Sequence, residues 1–272
     1  MARTATPVCV LAILCLCVSA WADPSEPDRE FRCNLPVSDV NKPADPKGPG
    51  GFQSGYQRSC GMASVASMLY AAGYRDIPAT NSSSGKPLTM SGQEAGSAQD
   101  LYKGIVESEN VNHYGGSQGW APDRQKQWAN TYIAKNPGVS GARYDYTYTK
   151  TTSPKLGDVT AGLASGKMTD LWLEKGAEHH SVVVQGVDVW EDANGKVTAA
   201  KVYIYDSNDG ATGLKGYDVV FGQHGYWGLK DYPKTGDIWW VRATGTMTPT
   251  PGALLLGAMG LGIVAWRRRR AA

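Results

Sequence analysis

The chain has 272 residues, 42% of them apolar and 19% charged, with 33 Gly, 15 Pro, 14 Tyr, 9 Trp and only 3 Phe, an apolar share that excludes a disordered or collagen-like chain. The formal charge of +2 includes Arg3 and the arginines at 267–270, which lie in sorting segments; the body that remains carries 22 basic against 25 acidic residues, a net of −3. Such a body gives no electrostatic case for nucleic acid, whose binding needs concentrated Lys and Arg to displace counterions.

In chain order, residues 1–22 read as a secretory signal peptide: Arg3 supplies the positive n-region, 8–18 the apolar h-region, and Ala20-Trp21-Ala22 a small-x-small cleavage site, so the mature chain starts at Asp23. Leu14, Leu16 and Val18 around Cys15 and Cys17 fit a lipobox poorly. Cys9, Cys15 and Cys17 leave with the signal, and only Cys33 and Cys60 remain. In an oxidising compartment that pair suggests one disulfide, although the setting of Cys60 argues against it.

Residues 23–51, rich in Pro, Asp and Lys, read as an extended leader on the surface. The spacing of Met62, Val65, Ala66 and Leu69 predicts a helix over 59–72 with Gly73 closing it. A polar loop follows at 81–96, then a helix over 122–134 with Pro122 in its first turn and Trp128 and Tyr132 one turn apart. A short helix at 158–165 ends at Gly166. Strands are expected at 168–173, 181–189, 197–205, 218–221 and 237–241, with a turn at Asn194-Gly195. Helices first and strands afterwards predict one α+β domain over 52–247, with a helical half packed on an antiparallel sheet.

Residues 248–272 close the chain. Pro249-Thr250-Pro251-Gly252 precedes fourteen apolar residues at 253–266, followed by four arginines and two alanines. This resembles the PEP-CTERM sorting signal of Gram-negative bacteria, with Pro-Thr-Pro-Gly in place of Pro-Glu-Pro; the alternative is a simple C-terminal membrane anchor. The resemblance implies a transient inner-membrane tether, processing by an exosortase-type enzyme, and a globular part delivered to the periplasm, cell surface or extracellular matrix. The arginines would stay on the cytoplasmic side.

The chemistry centres on Cys60. It opens the first expected helix, where unpaired N–H groups and the positive end of the helix dipole favour a thiolate over a thiol, which is what a nucleophilic cysteine requires. Gly61 allows a carbonyl close approach, and the Cys60 N–H could donate to an oxyanion. His180 stands at the start of the apolar run Ser181-Val182-Val183-Val184. A two-residue turn at Asn194-Gly195 would set Asp206 opposite Val183, with a bulge or longer turn shifting this by a residue or two. His180 and Asp206-Ser207-Asn208 then meet at one end of a hairpin, where a carboxylate or amide can orient the imidazole.

At these residues the sequence resembles the IdeS/Mac family of immunoglobulin-degrading cysteine endopeptidases, which have a papain-like fold. The matching segments are Cys60-Gly61-Met62-Ala63-Ser64-Val65-Ala66-Ser67-Met68-Leu69, Leu163-Ala164-Ser165-Gly166-Lys167, and the stretch from His180 through Gly186 and Asp188 to Asp206-Ser207-Asn208, with a looser match over 113–134. The resemblance implies Cys60 as nucleophile, His180 as base, and Asp206 and Asn208 as its orienting partners; Asn208 departs from the usual Asp. The family's oxyanion lysine has no clear counterpart. Gln53 and Gln57 are near, and Gln53 is preferred because papain-like enzymes place a Gln a few residues upstream of the cysteine. His180 is preferred to His179 by its spacing to Gly186; His113 and His224 lack such a context, and Trp239-Trp240 read as sheet and core residues.

Three other patterns lack the context that their chemistry needs. Gly115-Gly116-Ser117-Gln118-Gly119 matches G-x-S-x-G, with Asp170 and His180 following, but the polar run 107–114 is no buried strand and Trp120-Ala121-Pro122 interrupts the helix that should follow. Two cysteines without a C-x-x-C pair, and no H-E-x-x-H, leave zinc unsupported. Asp206-Ser207-Asn208-Asp209-Gly210 lacks the Gly and Glu of an EF-hand loop, Ala211 and Tyr217 standing there instead. The expectation is therefore an exported cysteine endopeptidase acting on a protein or peptide substrate with no cofactor and no metal. The competing expectation is a non-catalytic exported binding module with a protease-like fold.

Overall fold

A computed structural model of the chain describes residues 26–33, 59–79, 88–108, 122–136, 143–148, 154–207 and 214–248. The expected signal peptide, most of the leader and the C-terminal sorting segment lie outside the described residues. Among the described residues there are four α-helices: α1 (Cys60–Ala71), α2 (Ala98–Ser108), α3 (Pro122–Lys135) and α4 (Leu156–Ala164). The strands are β1 (Arg29–Arg32), β2 (Asp76–Pro78), β3 (Met90–Glu94), β4 (Arg143–Tyr148), β5 (Met168–Lys175), β6 (Glu178–Glu191), β7 (Val197–Tyr205), β8 (Lys215–Phe221), β9 (Trp227–Lys230) and β10 (Ile238–Thr248).

The expected papain-like α+β arrangement, a helical half packed on an antiparallel sheet, is overturned. The protein is mostly sheet, and β5-β10-β9-β8-β7-β6 close into a six-stranded antiparallel barrel because β6 pairs with both β5 and β7. The physical reason lies in strand length and in pairings distant in sequence. β6 runs for 14 residues and β10 for 11, so each reaches several partners. β1 continues the edge of β6 beyond β5, and β4 joins β10. Closure satisfies the ladder hydrogen bonds that an open sheet would leave at its edges. Four helices of 9 to 14 residues flank that barrel rather than forming a half of their own.

α1 is the exception to the surface-helix pattern. Its first ten residues are all buried, so the expected apolar stripe extends around the whole helix, and α1 lies against β6 between α2 and α3. Its end follows the sequence reading, with Gly73 at positive φ and the Tyr74 N–H bonded to the Leu69 carbonyl at 3.0 Å. With so few Phe available, the largest fully buried side chains include Trp227 and the tyrosines 74, 102, 132, 144 and 232. A buried phenol or indole needs a hydrogen-bond partner. Trp227 donates to the Pro154 carbonyl at 2.5 Å, Tyr144 to Asp170 at 2.9 Å and Tyr232 to Asp206 at 2.6 Å.

Gly245 of β10 faces Asp170 of β5 across the sheet, and a Cβ there would collide with Asp170 Oδ1 and the Tyr144 hydroxyl. Gly245→Ala should therefore destabilise the fold by about 1–3 kcal/mol. The expected readout is a lower urea midpoint with an unchanged slope; an unchanged midpoint would show that this approach can relax without cost.

Candidate active site

Cys60 is the first residue of α1 and is 7% exposed. The preceding Ser59 makes no side-chain cap to the helix; its hydroxyl lies 2.6 Å from that of Tyr102 on α2. The first turn carries no acidic residue, so its positive dipole end is not offset by a side chain of that turn.

His180 reaches this point from β6. Strand alternation separates the two adjacent histidines: His180 is 3% exposed, whereas His179 faces outward and stacks on Trp172 at 5.7 Å. The hairpin that supplies the third residue is longer-turned than the sequence reading assumed. β6 and β7 are joined by five residues, 192–196, in which Asp192 Oδ1 accepts from the N–H groups of Asn194 and Lys196, both at 2.9 Å. A bulge between Val184 and Gly186 then sets Tyr205, rather than Asp206, opposite Val183. Asp206 follows directly after β7, 6% exposed, with Oδ1 2.6 Å from His180 Nε2.

Cys60, His180 and Asp206 are thus brought together from a helix start, a strand start and a strand end. Burial alone pushes the His180 imidazolium down, but the charge of Cys60, hydrogen bonds with Asp206 and Cys60, and the charge of Asp206 raise it from the ordinary 6.5 to about 9. The ring is enclosed by aromatic side chains absent from the sequence reading of the site. Tyr232 stacks on it at 6.2 Å and 19° while donating to Asp206 Oδ2; Trp239 stands edge-on at 6.5 Å. Burial and the Asp206 charge hold the Tyr232 phenol well above its ordinary range, so it remains a donor. Tyr217 and Trp239 in turn pack edge-to-face on Tyr232, at 5.1 and 5.8 Å. Trp239 was legible as a core residue; Tyr232 carried no signal, being 26 residues from Asp206 in a segment with no motif.

Asn208, Gln53 and Gln57 lie outside the described residues, as do His113 and the Gly115–Gly119 pattern. Asp170 hydrogen-bonds Tyr144, Gln125 and Ser181. His224 is exposed in a 3₁₀ turn between β8 and β9. Cys33 and Cys60 are both buried and are not joined in a disulfide, so the disulfide alternative is not realised; Cys33 instead joins β6 through its N–H to the Gln185 carbonyl at 2.7 Å. Among the described residues no three His, Cys, Asp or Glu side chains form a metal-holding group. No helix among the described residues is long and apolar enough to cross a membrane. No family model matches the chain, and no curated protein matches it.

Two outcomes follow from this geometry. Because the His180 value is raised on folding, its stabilising contribution is fully present below about pH 6.5 and is lost as pH rises through about 9. Denaturation measured from pH 6 to 10 should show a loss of a few kcal/mol in that window that is missing in His180→Ala; parallel curves for the two proteins would contradict the assignment. Tyr232→Phe should cost about 1–3 kcal/mol by removing a buried donor to a carboxylate, measured by thermal unfolding near pH 7.

Proposed function

We propose that this chain is an exported cysteine endopeptidase, with Cys60 as nucleophile, His180 as acid and base, and Asp206 orienting the imidazole. The observation that carries the reading is the buried line from Cys60 through His180 to Asp206, in which one carboxylate oxygen lies 2.6 Å from His180 Nε2. The resemblance of the Cys60 and His180–Asn208 segments to the IdeS/Mac endopeptidases supports the same roles, with Asn208 as a second supporting residue and Gln53 as the oxyanion candidate.

The chemistry follows from these positions. With Nε2 engaged by Asp206, Nδ1 is the ring nitrogen left for Cys60, and a proton moved from sulfur to imidazole gives a thiolate beside an imidazolium. The thiolate attacks the scissile carbonyl carbon, and the oxyanion that forms can accept from the N–H groups at the start of α1. His180 then gives its proton to the departing amine, leaving a thioester on Cys60 and a free amine product. In the second half the neutral imidazole takes a proton from water, whose oxygen attacks the thioester; collapse releases the carboxylic acid product and restores thiolate and imidazolium. Asp206 keeps one tautomer and one ring orientation throughout.

Export rests on the signal-peptide pattern of residues 1–22, and transient tethering with exosortase-type processing on the pattern of 248–272. Deleting 248–272 should leave a fully active peptidase that fails to reach its destination; retention of the arginines 267–270 in mature protein by C-terminal peptide mapping would instead mark a permanent anchor.

One observation favours the second reading, a non-catalytic exported binding module: Cys60 and His180 are only 7% and 3% exposed. Digestion of an unbiased peptide library separates the two. The peptidase reading expects cleavage that falls by about 10³-fold or more in Cys60→Ala and His180→Ala, nearly as far in Asp206→Ala and less in Asn208→Ala. Cleavage that survives Cys60→Ala would sink it.

A further inference from the structure

A second buried carboxylate lies outside the Cys60–His180–Asp206 line. Asp170 of β5 is 2% exposed and pairs with Val183 of β6 on one side and Gly245 of β10 on the other. Its Oδ1 accepts from the Tyr144 hydroxyl of β4 at 2.9 Å. Its Oδ2 accepts from Gln125 Nε2 of α3 at 3.0 Å and from the Ser181 hydroxyl of β6 at 3.2 Å. Gln125 is itself 1% exposed, and its Nε2 also donates to the Gly61 carbonyl at 3.2 Å. The two hydrogens of one amide are thus divided between the Asp170 carboxylate and the backbone of α1.

The residues at the ends of these two arms are decisive. Gly61 follows Cys60 in the chain, and Ser181 follows His180. One oxygen atom, Asp170 Oδ2, is therefore tied by one bond to the neighbour of the base and by two successive bonds to the neighbour of the nucleophile. Ser181 Oγ also lies 3.0 Å from Ser64 Oγ, one helical turn beyond Cys60, which ties the strand to the helix a second time.

We propose that Asp170 is a positioning residue for the hydrolytic reaction: through Gln125 and Ser181 it holds the backbone beside Cys60 and the backbone beside His180 at a fixed separation. This rests on the reading of Cys60 and His180 as nucleophile and base. A buried carboxylate is an expensive way to fill space, and packing alone would be served better by an apolar side chain of similar volume. Among the described residues no cation faces it: the groups around it are the Tyr144 phenol from β4, the Gln125 amide from α3, the Ser181 hydroxyl from β6 and bare Gly245 from β10. Burial accordingly pushes the Asp170 carboxyl up to about 6 despite the hydrogen bonds from Tyr144, Ser181 and Gln125. What the charge provides is bond strength and direction, since hydrogen bonds to an ionised acceptor are shorter and stronger than neutral ones. A misplacement of the nucleophile relative to its base by a fraction of an ångström is enough to weaken their proton transfer.

The test is the rate of Cys60 alkylation by iodoacetamide between pH 5 and 9, read at the Cys60 peptide by mass spectrometry on the full chain. Gln125→Met keeps the volume and removes both donors; Ser181→Ala removes the other arm and serves if the first variant does not fold, as judged by circular dichroism. In each, alkylation near pH 7, where Asp170 is ionised, should fall about 10- to 100-fold, and the profile should move toward that of an ordinary cysteine, which ionises near 8.5. Val189→Ala, a buried core variant nine residues along β6 from His180 and outside this network, should lose stability while keeping the wild-type profile. Folded Gln125→Met or Ser181→Ala protein with the wild-type profile overturns the positioning role while leaving the nucleophile–base reading intact. That reading fails separately if His180→Ala leaves the profile unchanged, because His180 is not part of the Asp170 network.

Discussion

An imidazole has been taken out of water and set between a thiol and a carboxylate, and most of the structure around it follows from the cost of doing so. Burial disfavours the charged ring, and only close partners of opposite charge reverse that preference. Asp206 at 2.6 Å and Cys60 at the start of α1 supply them, and the outcome is a His180 that stays protonated to about pH 9. The carboxylate has to be satisfied in turn. Tyr232 does this with its hydroxyl while its ring covers the imidazole, so that one side chain closes the polar and the apolar requirements together.

The barrel places these groups. His180 and Asp206 belong to the two strands of a single hairpin, and β6 is fixed on both sides, by β5 along its first half and by β7 along most of its length. The helix bearing Cys60 is buried along its first ten residues against that strand, which leaves it little freedom to rotate. A core built from tyrosine rather than phenylalanine has a further consequence. Each buried phenol must find an acceptor, and two of them, Tyr144 and Tyr232, find the carboxylates of Asp170 and Asp206. The scarcity of Phe and abundance of Tyr in the composition thus reappear as hydrogen bonds around the site.

Local features were legible in the sequence because local physics sets them. Gly73 ends α1 at positive φ, and the hairpin carries Asp206 back to His180 to within one position of the simplest register. That one-position shift comes from the bulge between Val184 and Gly186, which has no unique sequence signature; the longer turn is offset by a second bulge between Trp190 and Glu191. Helix α2 was overlooked although its signal is present: Ser97 and Asp100 exchange reciprocal hydrogen bonds at its start, and Leu101, Tyr102, Ile105 and Val106 are buried. β4 and β9 were missed because their strand character depends on pairing with β10, nearly 100 residues away for β4 and across a short turn for β9. Barrel closure is a property of those pairings, and no window of sequence contains it. The same holds for Tyr232 and Asp170, whose roles arise only when distant segments are folded against one another.

The central claim is that His180 is held as an imidazolium by Cys60 and Asp206 together. Its most direct measurement is the pH titration of the His180 ring nitrogens by NMR in wild-type protein and in Cys60→Ala. The account predicts a ring that remains doubly protonated through neutral pH in the wild type and titrates near 9, and that releases its proton at distinctly lower pH once the sulfur is removed. A His180 that titrates near the ordinary 6.5 in both proteins would contradict it.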